Sequence, residues 1–215
     1  MAASWHAIGR VAWEQDLLGD ADEALQRSLQ LRRRNNELPS HPTVLCDLAR
    51  VRLAQGLGES ARGLAEECLQ LARGRNRPLA LQAGLLLAEV SDRQGEAETA
   101  RRLLLDAAGQ VREDSPEAQA AVALAAARQA LRHGASEESH RQLEALRSLI
   151  ESALPTQARW ALAADGLQAG LHCRAGRLAE GRRLRDQALG LAVERFPERA
   201  RLRTELAADA AGCGR

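Results

Sequence analysis

Residues 41–61 read His-Pro-Thr-Val-Leu-Cys-Asp-Leu-Ala-Arg-Val-Arg-Leu-Ala-Gln-Gly-Leu-Gly-Glu-Ser-Ala. Leu48 and Leu53 before the Gln55-Gly56 break, and Leu57 and Leu64 after it, fall at helical spacing rather than strand alternation. Ala49 stands seven residues before Gly56 and Ala61 five after it. A small residue on each arm of a helix hairpin lets two axes approach to about 8–10 Å, with larger residues filling the flanks.

The same arrangement recurs outward from this stretch. Gly19, Gly56, Gly95, Gly134 and Gly176 are separated by 37, 39, 39 and 42 residues, a period that belongs to repeat architectures. Seven residues before them stand Ala12, Ala49, Ala88, Ala127 and Ala169; five after stand Ala24, Ala61, Ala100, Ser139 and Gly181. Ten small residues at ten chosen positions make a comb that alanine abundance alone does not produce. Pro42, Pro78, Pro116 and Pro155 mark the other junctions, since proline suits a first helical turn where its missing N–H has no partner to lose. Ser115 before Pro116 is placed as an N-cap. No run of β-branched or aromatic residues reads as a strand.

The chain is 215 residues long, 45% hydrophobic and 27% charged, enough to bury a sizeable core. Its net charge of +1 gives no basic footprint for nucleic acid. No apolar run reaches membrane-spanning length. All 30 basic residues are arginine, which removes the lysine of a P-loop, of a kinase strand or of a Schiff base. His6, His41, His133, His140 and His172 form no H-E-x-x-H, and no Cys/His spacing fits zinc. Neither metal, cofactor nor catalytic site is expected, and the chain is read as no enzyme. Cys46, Cys68, Cys173 and Cys213 are scattered without a C-x-x-C and are expected to be reduced, mostly buried thiols of a cytoplasmic protein. Arg32-Arg33-Arg34 is expected to close a second helix as its C-terminal charge.

The comb resembles the tetratricopeptide repeat (TPR), and the run from His41-Pro42 through Gln55-Gly56 to Ala61 is similar to the longer repeats of kinesin-light-chain-like arrays. The aromatic positions here are mostly Ala, Leu or polar, and the period exceeds the usual 34. HEAT-like hairpins stay open for the C-terminal third. The resemblance implies an all-α, right-handed α-solenoid: about five hairpins over residues 3–36, 40–75, 78–113, 116–152 and 155–195, with a capping helix at 197–212. They would form one array over residues 1–215.

The resemblance also implies a binding surface. The first helices would line a concave groove that holds a peptide or protein partner, without catalysis. Counting back from each loop glycine places Arg10, Trp13 and Asp16, then Asp47 and Arg50, then Glu89, Asp92 and Arg93, then Arg128 and Arg132, then Arg174 in that groove. Arginine suits carboxylates because its fork reaches both oxygens, so an acidic partner fits Arg128, Arg132 and Arg174. The chaperone-tail clamp of the family is absent, with Gly9, Trp13 and Asp47 at its positions. Trp5 and Trp160 are expected in the core; Trp13 is left open between core and ligand contact. The competing reading is a regulatory segment of a larger bacterial signalling protein, a Ser/Thr kinase or a transcriptional regulator.

Overall fold

The computed structural model describes residues 1–35, 41–112 and 114–214. Among them the chain is all-α, with helices α1 (Ala2–Glu14), α2 (Leu18–Arg34), α3 (His41–Ala54), α4 (Gly58–Ala72), α5 (Arg77–Arg93), α6 (Ala97–Gly109), α7 (Pro116–Arg132), α8 (Ser136–Ala153), α9 (Ala158–Arg174), α10 (Leu178–Arg195) and α11 (Ala200–Asp209). A 3₁₀ turn, Ala211–Cys213, follows α11. Consecutive helices pair as hairpins, and the chain divides into two compact units, Met1–Gln110 and Val111–Arg215.

The comb of small residues is the packing device. Ala49, Ala61, Ala100, Ala127, Ala169 and Ser139 are wholly inaccessible to solvent. The Ser139 hydroxyl donates to the Ala127 carbonyl at 3.0 Å, which fixes these two comb positions face to face across a hairpin. In the last hairpin a Cβ on Gly181 would lie 2.9 Å from the Ala169 carbonyl oxygen, so glycine is the residue that fits there. Gly56, Gly95, Gly134 and Gly176 all have positive φ, between 76° and 84°, the left-handed conformation that glycine adopts without a Cβ penalty.

The first hairpin departs from the comb. Gly19 is not a loop residue; it lies inside α2, and the left-handed position is held by Asp16 at φ 60°. Aspartate is one of the few side chains that tolerate this region. The true crossing pair is therefore Gly9 with Ala21, three residues earlier than the count from Gly19 gives. A Cβ on Gly9 would come 3.3 Å from the Ala21 carbonyl oxygen and run into Leu25. Ala12 and Ala24 are buried all the same, as neighbours one turn along.

Helix starts follow the prolines unevenly. Pro78 and Pro116 lie in the first turns of α5 and α7, and Pro42 is the second residue of α3. Pro155 precedes α9 by three residues and sits in the connecting turn. Ser115 occupies the N-cap position of α7 without a side-chain capping bond, whereas Asn76 caps α5 by accepting from the Leu79 N–H at 3.1 Å.

The four cysteines are not reduced thiols. Cys46 of α3 is bonded to Cys68 of α4, with Cα atoms 5.6 Å apart, and Cys173 of α9 to Cys213, with Cα atoms 5.0 Å apart. The first bond sits within the core of the first unit among Leu25, Leu45, Leu48 and Val51; the second ties the 3₁₀ turn to α9. Trp160 is buried and its Nε1 donates to Gln157 at 2.9 Å, while Trp5 is half-buried beneath the Arg27 guanidinium.

Candidate inner faces of the two units

Within the first unit, α1 packs on α3 and α3 on α5, while among the described residues the second helices α2, α4 and α6 make no comparable contacts with one another. The first helices therefore share one layer, and residues about one period apart lie side by side along it. His6 Nε2 of α1 meets Asp47 Oδ2 of α3 at 2.8 Å. The Arg93 guanidinium of α5 donates to the Leu53 carbonyl of α3 at 3.3 Å. On the neighbouring edge, the Gln55 side chain donates to the Leu18 carbonyl at 3.1 Å.

The candidate residues of this unit fall into small local groups. Asp47 and Arg50 sit one turn apart, 3.5 Å between oxygen and nitrogen, so His6, Asp47 and Arg50 form one cluster. Glu89 and Arg93 pair at 2.6 Å, both over a third exposed. Arg10 is exposed on α1. Trp13 packs partly buried against the first-unit core, and in the corrected register it holds the position that Leu53 holds in the next hairpin. Asp92 is buried rather than facing a ligand, and Asp16 is the turn residue of the first loop. A cleft of about 340 Å³ opens beside Gly56 and Gly58, floored by Leu53 and Val90 and rimmed by Glu59, Arg93 and Gln94. Gln94 donates to Glu59 at 2.7 Å across its mouth.

The second unit is arranged differently. Here α7 packs on α9 and α9 on α11. Arg128 of α7 does not stand open towards solvent. Its Nε donates to Asp209 Oδ1 at 2.9 Å and its Nη2 to Asp209 Oδ2 at 2.7 Å, a bidentate fork onto α11. Arg132 and Arg174 lie exposed in the last turns of α7 and α9. At the far end of α7, the Gln157 side chain donates to Glu117 at 2.6 Å. Asp165 of α9 faces Arg147 of α8 at 3.1 Å, and burial raises its carboxyl above the ordinary range against the pull of that arginine.

His6 and Asp209 were not singled out by counting from loop glycines. The signal for His6 is its place about one period before Asp47; Asp209 gave none. No group of acidic, histidine or cysteine side chains suited to a metal occurs among the described residues.

No family model and no characterised protein matches this sequence. Solved structures do. Two crystal structures of nearly identical TPR-like repeats from a Podosopora anserina kinesin light chain, one of them a point variant, superpose with TM-scores of 0.59. They share 21% and 22% of residues with this chain, cover 89% and 90% of it, and are themselves covered over 94% and 96% of their length. At that identity the likeness is one of fold, and the fold of this chain is the all-α, TPR-like helical repeat.

Proposed function

We propose that the chain is a protein-interaction module that holds a peptide or protein partner against the inner face of its first unit, without catalysing a reaction. The observation that carries this reading is the layer of α1, α3 and α5. It presents Arg10, Arg50, Glu89 and Arg93 towards solvent, with Asp47 largely covered between His6 and Arg50 and Trp13 at its root. TPR-like repeats as a fold generally mediate protein–protein contacts. Arg132 and Arg174 favour acidic groups on a partner of the second unit, while an acid aimed at Arg128 would have to displace Asp209.

Nucleic acid is disfavoured as a partner by the near-neutral charge. No helix among the described residues is long and apolar enough to cross a membrane. The cytoplasmic location expected from reduced thiols loses its ground with two disulfides formed, and an oxidising compartment suits the chain better.

The test is capture of partners from the source organism with the oxidised chain, followed by charge reversal. Arg10→Glu with Arg50→Glu should weaken the captured complex about tenfold or more, as expected for charges desolvated in an interface. Arg101→Glu with Arg102→Glu, on the exposed face of α6, should change it little. The opposite ranking would place the partner on the second helices and end the inner-face reading.

A further inference from the structure

The C-terminal segment packs against α9 and α10, and its strongest ties lie at its far end. Of the ten residues in α11, Leu206 alone is buried, among Leu162, Ala188 and Ala192, with Leu202 partly buried beside it. No side chain caps the helix. An isolated helix this short is not stable in water, where about 12–15 residues are marginal. Part of what it lies on is bare backbone. Gly166 and Gly170 stand one turn apart on α9; a Cβ on Gly166 would lie 3.1 Å from Leu206, and one on Gly170 would run into the Asp209 carbonyl. Asp209 then forks onto Arg128. Beyond the helix, the Cys173–Cys213 bond anchors the 3₁₀ turn, and Arg182 and Arg185 of α10 donate to the Cys213 and Gly214 carbonyls at 2.9 and 2.7 Å.

A thinly packed helix, an acid seated on the arginine and a covalent bond at the end make a set. We propose that Ala200–Gly214 is a redox-locked latch over a helix-binding track. With Cys173–Cys213 closed, α11 fills the track. When a dithiol reductant opens the bond, α11 leaves, and the track accepts an amphipathic helix of a protein partner that carries an apolar residue and, three positions on, an acid. That spacing is the one Leu206 and Asp209 show. This rests on the reading of the chain as a protein-binding module and adds to it the partner's chemistry and its control. The exchange balances: one thiolate of the dithiol attacks a sulfur of the Cys173–Cys213 bond to give a mixed disulfide, and its second thiol resolves it. The reductant gives up two electrons and becomes a disulfide; Cys173 and Cys213 become two thiols. Cys213 lies between two exposed glycines, Gly212 and Gly214, so fraying of the last turn uncovers it.

The experiment has two arms on the full chain. In the first, amide hydrogen exchange is followed in the oxidised protein and in Cys213→Ser, with the Cys46–Cys68 bond intact in both. Amides of 200–209 should exchange at least tenfold faster in the variant, with α3 and α4 unchanged; an α11 that stays protected overturns the latch. Cys213→Ala gives the same readout should the serine variant fold poorly. In the second arm, a labelled synthetic peptide of residues 198–214 with serine at 213 is titrated into the chain carrying Asp209→Asn and Cys213→Ser. Binding is expected, at least tenfold weaker for the peptide that itself bears asparagine at 209, and absent for the oxidised wild-type chain. A fast-exchanging α11 with no peptide binding overturns the track as a receptor. Neither failure touches the first unit's inner face, which the Arg10 and Arg50 reversals decide.

Discussion

Both units carry one disulfide, and the two bonds do different work. Cys46–Cys68 joins the two arms of one hairpin, 22 residues apart, inside a core of leucine and valine. Cys173–Cys213 spans 40 residues and joins a helix to the turn beyond α11, over a seat built of glycine and alanine. The first unit's bond lies amid core side chains that would keep its shape without it; the second unit has its own core around Trp160, Leu167 and Leu171, and its bond bears on the last helix, which meets bare α9 backbone at Gly166 and Gly170. The same contrast appears in charge. Arginines of the first unit's first helices pair within a turn, Arg50 with Asp47 and Arg93 with Glu89. The second unit's Arg128 pairs with a residue 81 positions away.

The largest expected effect tests the two bonds against each other. Replacing Cys46 and Cys68 by alanine should lower the unfolding free energy by roughly 3 kcal/mol, the chain-entropy value for a loop of this size. Cys213→Ser should leave the main urea transition nearly in place while loosening α11. Equal losses from both changes would mean that the second bond holds its whole unit rather than one helix.

Next come the crossings. Gly181→Ala adds one methyl where a Cβ meets the Cys173 sulfur, and Ala88→Leu adds three carbons at a residue 2% exposed. Each should cost roughly 1–3 kcal/mol by overpacking, read from thermal melts. An unchanged melt for Gly181→Ala would show that the last hairpin has slack the others lack.

Buried hydroxyls separate the units on a finer scale. Ser139→Ala removes the donor to the Ala127 carbonyl and should cost about 1 kcal/mol. Ser91 is as deeply buried, but its hydroxyl has no hydrogen-bond partner among the described residues, so Ser91→Ala should be neutral or slightly stabilising in the same urea titration. A loss at Ser91 matching that at Ser139 would remove this distinction.

The smallest effects are in pH, and they have opposite signs. Burial, then the charge of Arg33, holds His41 below its ordinary value of 6.5, with Glu67 opposing. The unfolded chain therefore takes up a proton first, and stability should fall as pH drops through 6.5. Asp165, raised by burial above its ordinary 3.8, works the other way: the unfolded chain releases its proton first, so stability should fall as pH rises through 3.8. Denaturant titrations across pH should lose the first slope in His41→Gln and the second in Asp165→Asn. A slope that survives its own substitution would assign it to another group.

The comb made the hairpins legible because close helix crossing tolerates few residue types, and Ala49, Ala88, Ala127 and Ala169 report it directly. The first hairpin misled because Asp16 does a glycine's work, leaving Gly19 as a false marker three residues late. Trp13, left open between core and ligand contact by the count, packs partly buried against the first-unit core. Cysteine pairing was hidden for another reason. Cys46 and Cys68 stand ten residues before and twelve after Gly56, opposite one another once the hairpin is laid out, yet no short motif announces it. The fork of Arg128 on Asp209 was out of reach, because nothing in either helix's own pattern names a partner four helices along the chain.

The staples also set how far the chain can be drawn out under load. An extended residue spans about 3.4 Å, so the segment closed by Cys46–Cys68 withholds roughly 75 Å of contour and that closed by Cys173–Cys213 roughly 135 Å. Pulled from its ends, the oxidised protein behaves as a shorter tether than its length implies, and reduction lets out the slack in two unequal steps.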